Sequence, residues 1–470
     1  MNVRKIIFYA IGPIGAALLG FISLPLISWL FTPADVGRIS LLLTIINLST
    51  LLFSLGLDQS YVREYHDIDD KKSLFKTMFL PGLGVLLIVL SLTYFYDSKF
   101  LSNLLFNIND SNYSIIIIFC IIFSFFSRFL SLILRMEERA LVFSVTRIIT
   151  KLVIVLAVLF FMIFSHKENI CFFDLLIAYF SAFFITLLTL LVLNKEIIMN
   201  FFVSKFDYEI LKTSLKYGFP LILGGVAFWG LTAIDKIFLK NYSTLEEVGI
   251  YSVAVSFAGA ASILQNVFST IWAPTVYKWV SNKEDLSKVK NISELILFIV
   301  LVLYCFAGIF SWMVDYILPD KYIDVKYILL SCMGYPLLYT LSEVTAIGLG
   351  ITKRSNYSML VSIIGFVINI IGNYFLVPIY GASGAAVSTS LSFFIFFILR
   401  TEFSNLFWLK LPRAKMYSII FITVVIASIC TLYGQVIEFN ISFIWLIWLF
   451  IIVLCFKKQI PSFLILLKNN

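Results

Sequence analysis

The chain of 470 residues is 61% apolar and only 13% charged, and its mean hydropathy is +0.99. A soluble protein of this length would carry about twice that fraction of charged residues, so the composition excludes a soluble enzyme. The net charge of +8 is typical of a protein that lies beside anionic lipid headgroups, and it requires no nucleic-acid partner.

The sequence shows no signature of a cofactor or metal site. Its six cysteines lie in or beside apolar segments and form no CxxC pair, which favours apolar packing over disulfides or metal ligands. No GxxxxGK[ST] loop occurs, and no polar segment is long enough for a nucleotide-binding domain. We therefore expect no cofactor, no metal and no direct use of ATP by this chain.

Apolar segments of about 20 residues, the length that crosses a bilayer, recur along the whole chain. Most are apolar on every side, which is typical of helices within a membrane bundle. The sequence therefore predicts an all-α polytopic membrane protein with about fourteen transmembrane helices. Their predicted ranges are 6–31, 37–58, 76–96, 113–134, 145–164, 171–193, 217–239, 249–274, 294–318, 326–350, 357–379, 383–403, 414–434 and 441–456.

Basic residues are unevenly distributed between alternate loops. One set of loops holds clusters such as Lys71, Lys72 and Lys76, whereas the other set holds few, such as Lys167 and Lys240. Because basic loops remain in the cytoplasm, this pattern predicts an even number of spans with both termini cytoplasmic.

A repeat divides most of the chain into two halves. The segment Thr32–Ser40 is echoed 212 positions later by Thr244–Ser252, and the loop Glu138–Thr146 aligns with Lys353–Val361 at a shift of 215. These shifts predict two parallel six-helix halves, 1–197 and 213–405, joined by a cytoplasmic linker, 198–212. Residues 406–470 are predicted to add two helices and a cytoplasmic tail. Duplicated membrane units of this kind are typical of transporters.

Five short motifs, in this order and spacing, resemble one transporter family. The resemblance is to the O-antigen (Wzx-type) polysaccharide flippases of the multidrug/oligosaccharidyl-lipid/polysaccharide (MOP) exporter superfamily. It covers essentially the whole chain, although many such proteins are assigned twelve spans. The motifs are Pro33–Gly37, Gly56–Tyr65, Tyr217–Pro220, Asp235-Lys236 and Tyr380–Ala386.

The resemblance implies a transporter and not an enzyme. Such proteins are expected to move an undecaprenyl-pyrophosphate-linked oligosaccharide from the inner to the outer leaflet of the bacterial inner membrane by alternating access. The motifs do not separate O-antigen from other surface glycans. The expected partners are this lipid-linked substrate and membrane lipids, with other glycan-assembly proteins as candidates, and we expect a monomer.

Three cations inside predicted spans are candidate ligands for the pyrophosphate. Arg128 lies in the fourth span, and Arg147 and Lys151 lie four residues apart on the fifth, which places them on one helix face. The guanidinium fork of arginine suits phosphate oxygens, so these residues are predicted to surround a cavity that opens to the cytoplasm. The alternative is that their long side chains extend to the lipid headgroups.

Other ionisable residues leave a functional and a structural interpretation open. Asp235 and Lys236, near the outer end of the seventh span, could form a gate or headgroup contact, or an ion pair between helices. Glu343 in the tenth span could couple transport to protons or form a salt bridge. Asp58 and Arg63 flank the inner end of the second span, where loop anchoring is favoured.

Several amides inside spans are candidate sugar contacts, although hydrogen bonds between helices are a more frequent use of such residues. They are Asn47, Gln265, Asn266, Asn369 and Asn373.

Three other protein classes remain as alternatives. A multidrug exporter of the same superfamily would favour an acidic lumen, whereas the charges here are basic. A membrane-embedded glycan polymerase or ligase would carry a large outer loop. A structural scaffold would have no need for charges inside its spans.

Overall fold

The computed structural model describes residues 3–164, 170–457 and 459, and every regular element in these ranges is a helix. The chain forms two compact units, Met1–Trp229 and Gly230–Asn470. The predicted outer loop with Lys167 and the predicted cytoplasmic tail after residue 459 lie outside the described residues.

In the first unit, α6 packs against α2, α4 and α8, while α7 packs along α1 and α8. The last helix of this unit, α10, continues into the second unit. The described helices are α1 (Val3–Leu30), α2 (Pro33–Phe53), α3 (Leu57–Glu64), α4 (Lys71–Tyr96), α5 (Phe100–Phe106), α6 (Ser111–Met136), α7 (Ala140–Phe164), α8 (Phe172–Leu193), α9 (Lys195–Met199) and α10 (Tyr208–Tyr242).

In the second unit, α15 packs against α11, α18 and α19, and α13 packs against α16 and α20. The two C-terminal helices therefore belong to this unit. Its described helices after α10 are α11 (Leu245–Ala258), α12 (Ala261–Ser281), α13 (Ser287–Ile309), α14 (Val314–Ile317), α15 (Val325–Cys332), α16 (Gly334–Thr345), α17 (Ile347–Ile351), α18 (Ser355–Phe407), α19 (Ala414–Leu432) and α20 (Gly434–Phe456).

Each predicted span overlaps one helix or a broken series of helices. Among the described residues, nine helices are long and apolar enough to cross a membrane, or ten if α11 and α12, which meet at a bend of 49°, form one span. The all-α polytopic membrane fold is thus confirmed, while the number fourteen stays a prediction. The predicted halves and linker also stay predictions, since the unit boundary at Trp229 falls inside α10.

Helix α18 contains two antiparallel segments. A straight helix of its 53 residues would be about 80 Å long, far longer than the apolar core of a bilayer. The chain reverses at Gly381, whose φ of 53° and ψ of −130° are not helical. The reversal brings Asn369 Nδ2 within 3.0 Å of Thr389 Oγ1. The two segments match the predicted spans 357–379 and 383–403.

The repeated segments at Thr32 and Thr244 are helix N-caps. The Thr32 hydroxyl accepts from the backbone N–H of Asp35 at 3.2 Å, and the Thr244 hydroxyl accepts from Glu247 in the same way at 3.2 Å. A threonine cap with an acid three residues later satisfies free N–H groups at a helix start. The repeat therefore marks the starts of α2 and α11.

Gly56 forms a close backbone contact between α3 and the first part of α10. Its φ is 69°, in the left-handed region, and a Cβ there would lie 2.3 Å from the carbonyl oxygen of Gly218. The Ser60 hydroxyl of α3 also donates to the Ser214 carbonyl of α10 at 2.9 Å. Only glycine permits this conformation and this distance without strain, so the contact fixes α3 in the first unit.

Replacing Gly56 with alanine should therefore destabilise the protein by about 2–4 kcal/mol, because it combines left-handed strain with steric overlap. The measurement is thermal unfolding of the purified protein in detergent. Gly84→Ala is the matched control, since no atom lies within 4 Å of a Cβ at that position. Equal melting temperatures for the two variants would show that the contact with Gly218 is not required.

Candidate functional site

A polar cavity of about 340 Å³ lies within the first unit. Its walls come from α2, α3, α6, α7 and α8. It lies toward the end of the bundle where α2, α6 and α8 end and α7 begins, which is the end predicted to face the cytoplasm. Arg128 lies about 12 Å along α6 from its last residue, and Arg147 about 10 Å along α7 from its first.

Arg128 and Asp58 form an ion pair in the wall of this cavity. The Asp58 Oδ2 accepts from Arg128 Nη2 at 2.7 Å and from Nε at 3.2 Å. The Asp58 side chain is only 8% exposed, whereas that of Arg128 is 41% exposed. The carboxylate is therefore enclosed, and the guanidinium remains accessible from the cavity.

Arg147 is the second cation of the cavity wall. Its guanidinium carbon lies 4.9 Å from the centre of the Phe143 ring, and no described carboxylate lies within 4 Å of it. Lys151, one turn further along α7, is half-buried and is not among the described lining residues. The structure thus brings two of the three predicted cations to one cavity and leaves the third outside it.

The remaining walls are rich in hydroxyl and amide groups. On α6, Ser124, Ser127 and Ser131 follow a spacing of three and four residues, so they lie on one helix face. The Ser127 hydroxyl is buried and has no hydrogen-bond partner among the described residues. The other polar lining residues are Asn47, Thr50, Thr146, Thr150 and Thr186.

Two cations and one carboxylate leave this cavity with an excess positive charge, surrounded by neutral hydrogen-bonding groups. Such a wall can bind an anion through the arginines and a hydroxylated group through the serines and threonines. The serine spacing on α6 was visible in the sequence and could have identified this face, because it includes Arg128.

Glu343 pairs with Arg400 in the second unit. Arg400 Nη1 donates to Glu343 Oε1 and to the Ser342 hydroxyl, both at 2.9 Å. The guanidinium also lies 5.4 Å from the ring centres of Tyr339 and Phe396. Glu343 therefore has an ion-pair partner, which is the arrangement that the salt-bridge interpretation expects.

Asp235 is fully buried and is held by neutral donors. Its Oδ2 accepts from the Tyr251 hydroxyl at 2.7 Å and the Thr389 hydroxyl at 2.8 Å, and its Oδ1 accepts from Asn373 Nδ2 at 2.7 Å. No described cation lies within 4 Å of this carboxylate. The contact between helices is therefore hydrogen-bonded and not ionic. The neighbouring Lys236 is half-buried and has no ion-pair partner among the described residues.

The amides predicted as sugar contacts have different locations. Asn47 lines the cavity of the first unit. Asn373 also donates to Asn369 Oδ1 at 2.7 Å, so both of these asparagines are used within the buried network around Asp235. Arg63 lies outside the cavity, 4.2 Å from the centre of the Tyr217 ring, which agrees with an anchoring role.

The Glu343–Arg400 pair should show strong coupling in a double-mutant cycle. Because both side chains are largely buried, with exposures of 20% and 14%, either Glu343→Gln or Arg400→Gln alone should cost about 1–3 kcal/mol by leaving one charge unpaired. The double variant should cost less than the sum of the two, as measured by unfolding in detergent. The exposed pair Glu284–Lys288 is the control and should show no measurable coupling. Additive costs at Glu343 and Arg400 would contradict a structural pair.

A family model described as a polysaccharide biosynthesis protein matches residues 2–280, which is more than half of the chain. A curated relative is Agl15 of Haloferax volcanii, a probable low-salt glycan biosynthesis flippase, which is 28% identical over 210 residues. That match covers 43% of this chain and 42% of the relative, so the chain spans less than half of the curated protein it matches.

Solved structures of two transporters have a similar fold. The lipid II flippase MurJ in an inward closed conformation has a TM-score of 0.70 at 15% identity, covering 97% of this chain and 100% of that chain. An inward-facing multidrug resistance MATE family transporter of the MOP superfamily has a TM-score of 0.58 at 13% identity, covering 86% and 94%. At these identities the similarity shows the fold alone.

Proposed function

Because the chain belongs to the polysaccharide biosynthesis protein family, we propose that it is a flippase that carries a lipid-linked oligosaccharide across a membrane and is not an enzyme. The observation that supports this most directly is the cavity of the first unit, with Arg128 and Arg147 in a wall of serines and threonines. A lipid-linked glycan needs both kinds of group, since it joins an anionic phosphate to a hydroxylated sugar.

More specifically, we propose that the anionic group of this lipid-linked glycan is a pyrophosphate. A pyrophosphate diester carries two negative charges on two phosphoryl groups, and the two guanidinium forks could each bind one of them. The cavity volume of about 340 Å³ lies at the lower end of the range for small-molecule sites. It suits the pyrophosphate and its nearest sugar, and the rest of the glycan would extend beyond it.

We further propose undecaprenol as the lipid, an O-antigen or similar repeat unit as the glycan, and the bacterial inner membrane as the location. The distribution of basic residues supports cytoplasmic termini. The arginine cavity then lies on the cytoplasmic side, where a substrate assembled in the cytoplasm would enter. Alternating access between the two sides is the proposed transport cycle.

A multidrug exporter is the second candidate, because a MATE family transporter shares the fold. Such an exporter of cationic drugs would need a site with excess negative charge. The described cavity has excess positive charge, which favours the anionic glycan lipid.

We propose Asp235 as the residue that couples transport to an ion gradient. An ionised carboxylate that is fully buried without a cation is costly, while its three neutral donors favour the ionised form. These opposing effects suit a site that gains and loses a proton or a small monovalent cation. Glu343 is a weaker candidate, since Arg400 already compensates its charge.

A glutamine scan tests the substrate site. Arg128→Gln and Arg147→Gln should each lower transport of a defined lipid-linked glycan in proteoliposomes by about tenfold or more, because each loses a charge-assisted bond to phosphate. Lys151→Gln should remain close to the wild type, since Lys151 lies outside the cavity wall. Arg139→Gln is the matched control, because Arg139 pairs with Glu137 at the helix ends. Full activity in both cavity variants and in their double variant would refute the proposed site.

Replacing Asp235 with asparagine tests the coupling. In proteoliposomes, an imposed proton or sodium gradient should accelerate transport by the wild type but not by Asp235→Asn, because the amide cannot take up a proton or neutralise a cation. Asp320→Asn, at an exposed carboxylate, is the control and should respond as the wild type does. If Asp235→Asn folds and responds normally to both gradients, Asp235 has a structural role only.

A further inference from the structure

The cavity of the first unit contains an anion of its own, the carboxylate of Asp58. This carboxylate occupies the Nε and Nη2 face of Arg128, which is the same face that a phosphate would use. Any ligand that accepts bidentate hydrogen bonds from both arginines must therefore compete with Asp58. The neighbouring Arg147 has no such competitor among the described residues.

The backbone around Asp58 links this residue to the long helix α10. Asp58 is the second residue of α3, and this helix begins directly after the left-handed Gly56. The same short helix contacts α10 through the Gly56–Gly218 backbone approach and through the bond from Ser60 to Ser214. A movement of Asp58 away from Arg128 would therefore strain or shift the contacts that hold α3 on α10.

We propose that Asp58 is a displaceable counter-ion. In the empty site it neutralises Arg128 and lowers the cost of that partly buried cation. When the pyrophosphate binds, it replaces Asp58 on Arg128, and α3 loosens from its position. When the substrate leaves, Asp58 pairs with Arg128 again, which assists release. This inference rests on the proposed function and assigns Asp58 as a positioning residue of the same site.

The two alternative roles of Asp58 predict opposite changes in the affinity for an anion when Asp58 is replaced. If Asp58 only orients Arg128, its loss should weaken anion binding. If Asp58 competes with the ligand, its loss should strengthen binding, and more for a doubly charged ligand than for a singly charged one, since the repulsion scales with ligand charge.

The experiment uses the purified full chain and two synthetic probes, farnesyl-pyrophosphoryl-N-acetylglucosamine and its monophosphoryl counterpart. Asp58→Asn should bind the pyrophosphoryl probe about fivefold more tightly than the wild type does, with a smaller gain for the monophosphoryl probe. Its transport rate in proteoliposomes should nevertheless fall, because release is slower. Inorganic pyrophosphate, as a third probe, distinguishes a free anion from a lipid-linked one, and only the lipid-linked probe should be transported.

The matched control is Asp67→Asn, which removes the same charge from an exposed residue shortly after α3 and should leave affinity and transport unchanged. Unchanged or weaker binding by Asp58→Asn would overturn the inference, as would an equal gain in the control.

A measurement on the wild type tests the inference even if the variant misfolds. Amide hydrogen exchange over Leu57–Glu64 should become faster when the pyrophosphoryl probe binds, because α3 loses its anchor at Arg128. If the wild type binds the probe and exchange in α3 is unchanged or slower, only the role of Asp58 is refuted. If the wild type does not bind the probe, the proposed function and this inference both fail.

Discussion

The cost of placing a charge inside an apolar helical bundle explains where the buried ionisable groups of this chain lie. Such a charge costs several kcal/mol unless it meets a partner or water. Arg128 meets Asp58 at 2.7 Å, Glu343 meets Arg400 at 2.9 Å, and the carboxylate of Asp235 meets three neutral donors. The first two charges are thus compensated by an opposite charge, whereas that of Asp235 is compensated by hydrogen-bond donors.

The same constraint makes the two repeats differ in charge. The register of 215 residues that relates the loops after the fourth and tenth predicted spans places Glu343 where the first half has Arg128. In the second unit, this position is neutralised by Arg400. In the first unit, Asp58 offsets only one of two arginines. The cavity of the first unit therefore keeps an excess positive charge, although both repeats share the same pattern of helix starts at Thr32 and Thr244.

Much of the fold could be predicted from the sequence because hydrophobic length and glycine placement are local signals. The reversal at Gly381 separates two spans that the apolar pattern had already distinguished, even though the helix is otherwise continuous. The predicted span 326–350 is broken at Met333 and Ala346, and apolar length alone does not locate such breaks. The sequence favours loop anchoring for Asp58, because nothing in the 70 residues between it and Arg128 indicates that the two side chains pair.

The sequence by itself determined that this is a helical membrane protein with basic residues inside its spans and a repeat within its chain. These properties depend on composition and on short-range periodicity, which neighbouring residues establish. Only the tertiary structure decided which groups meet. Asp58 and Arg128 are 70 residues apart, and Asp235 lies 138 residues from Asn373 and 154 from Thr389. Such pairs form because separate helices pack side by side, and the pattern of one helix does not specify the side chain that its neighbour presents.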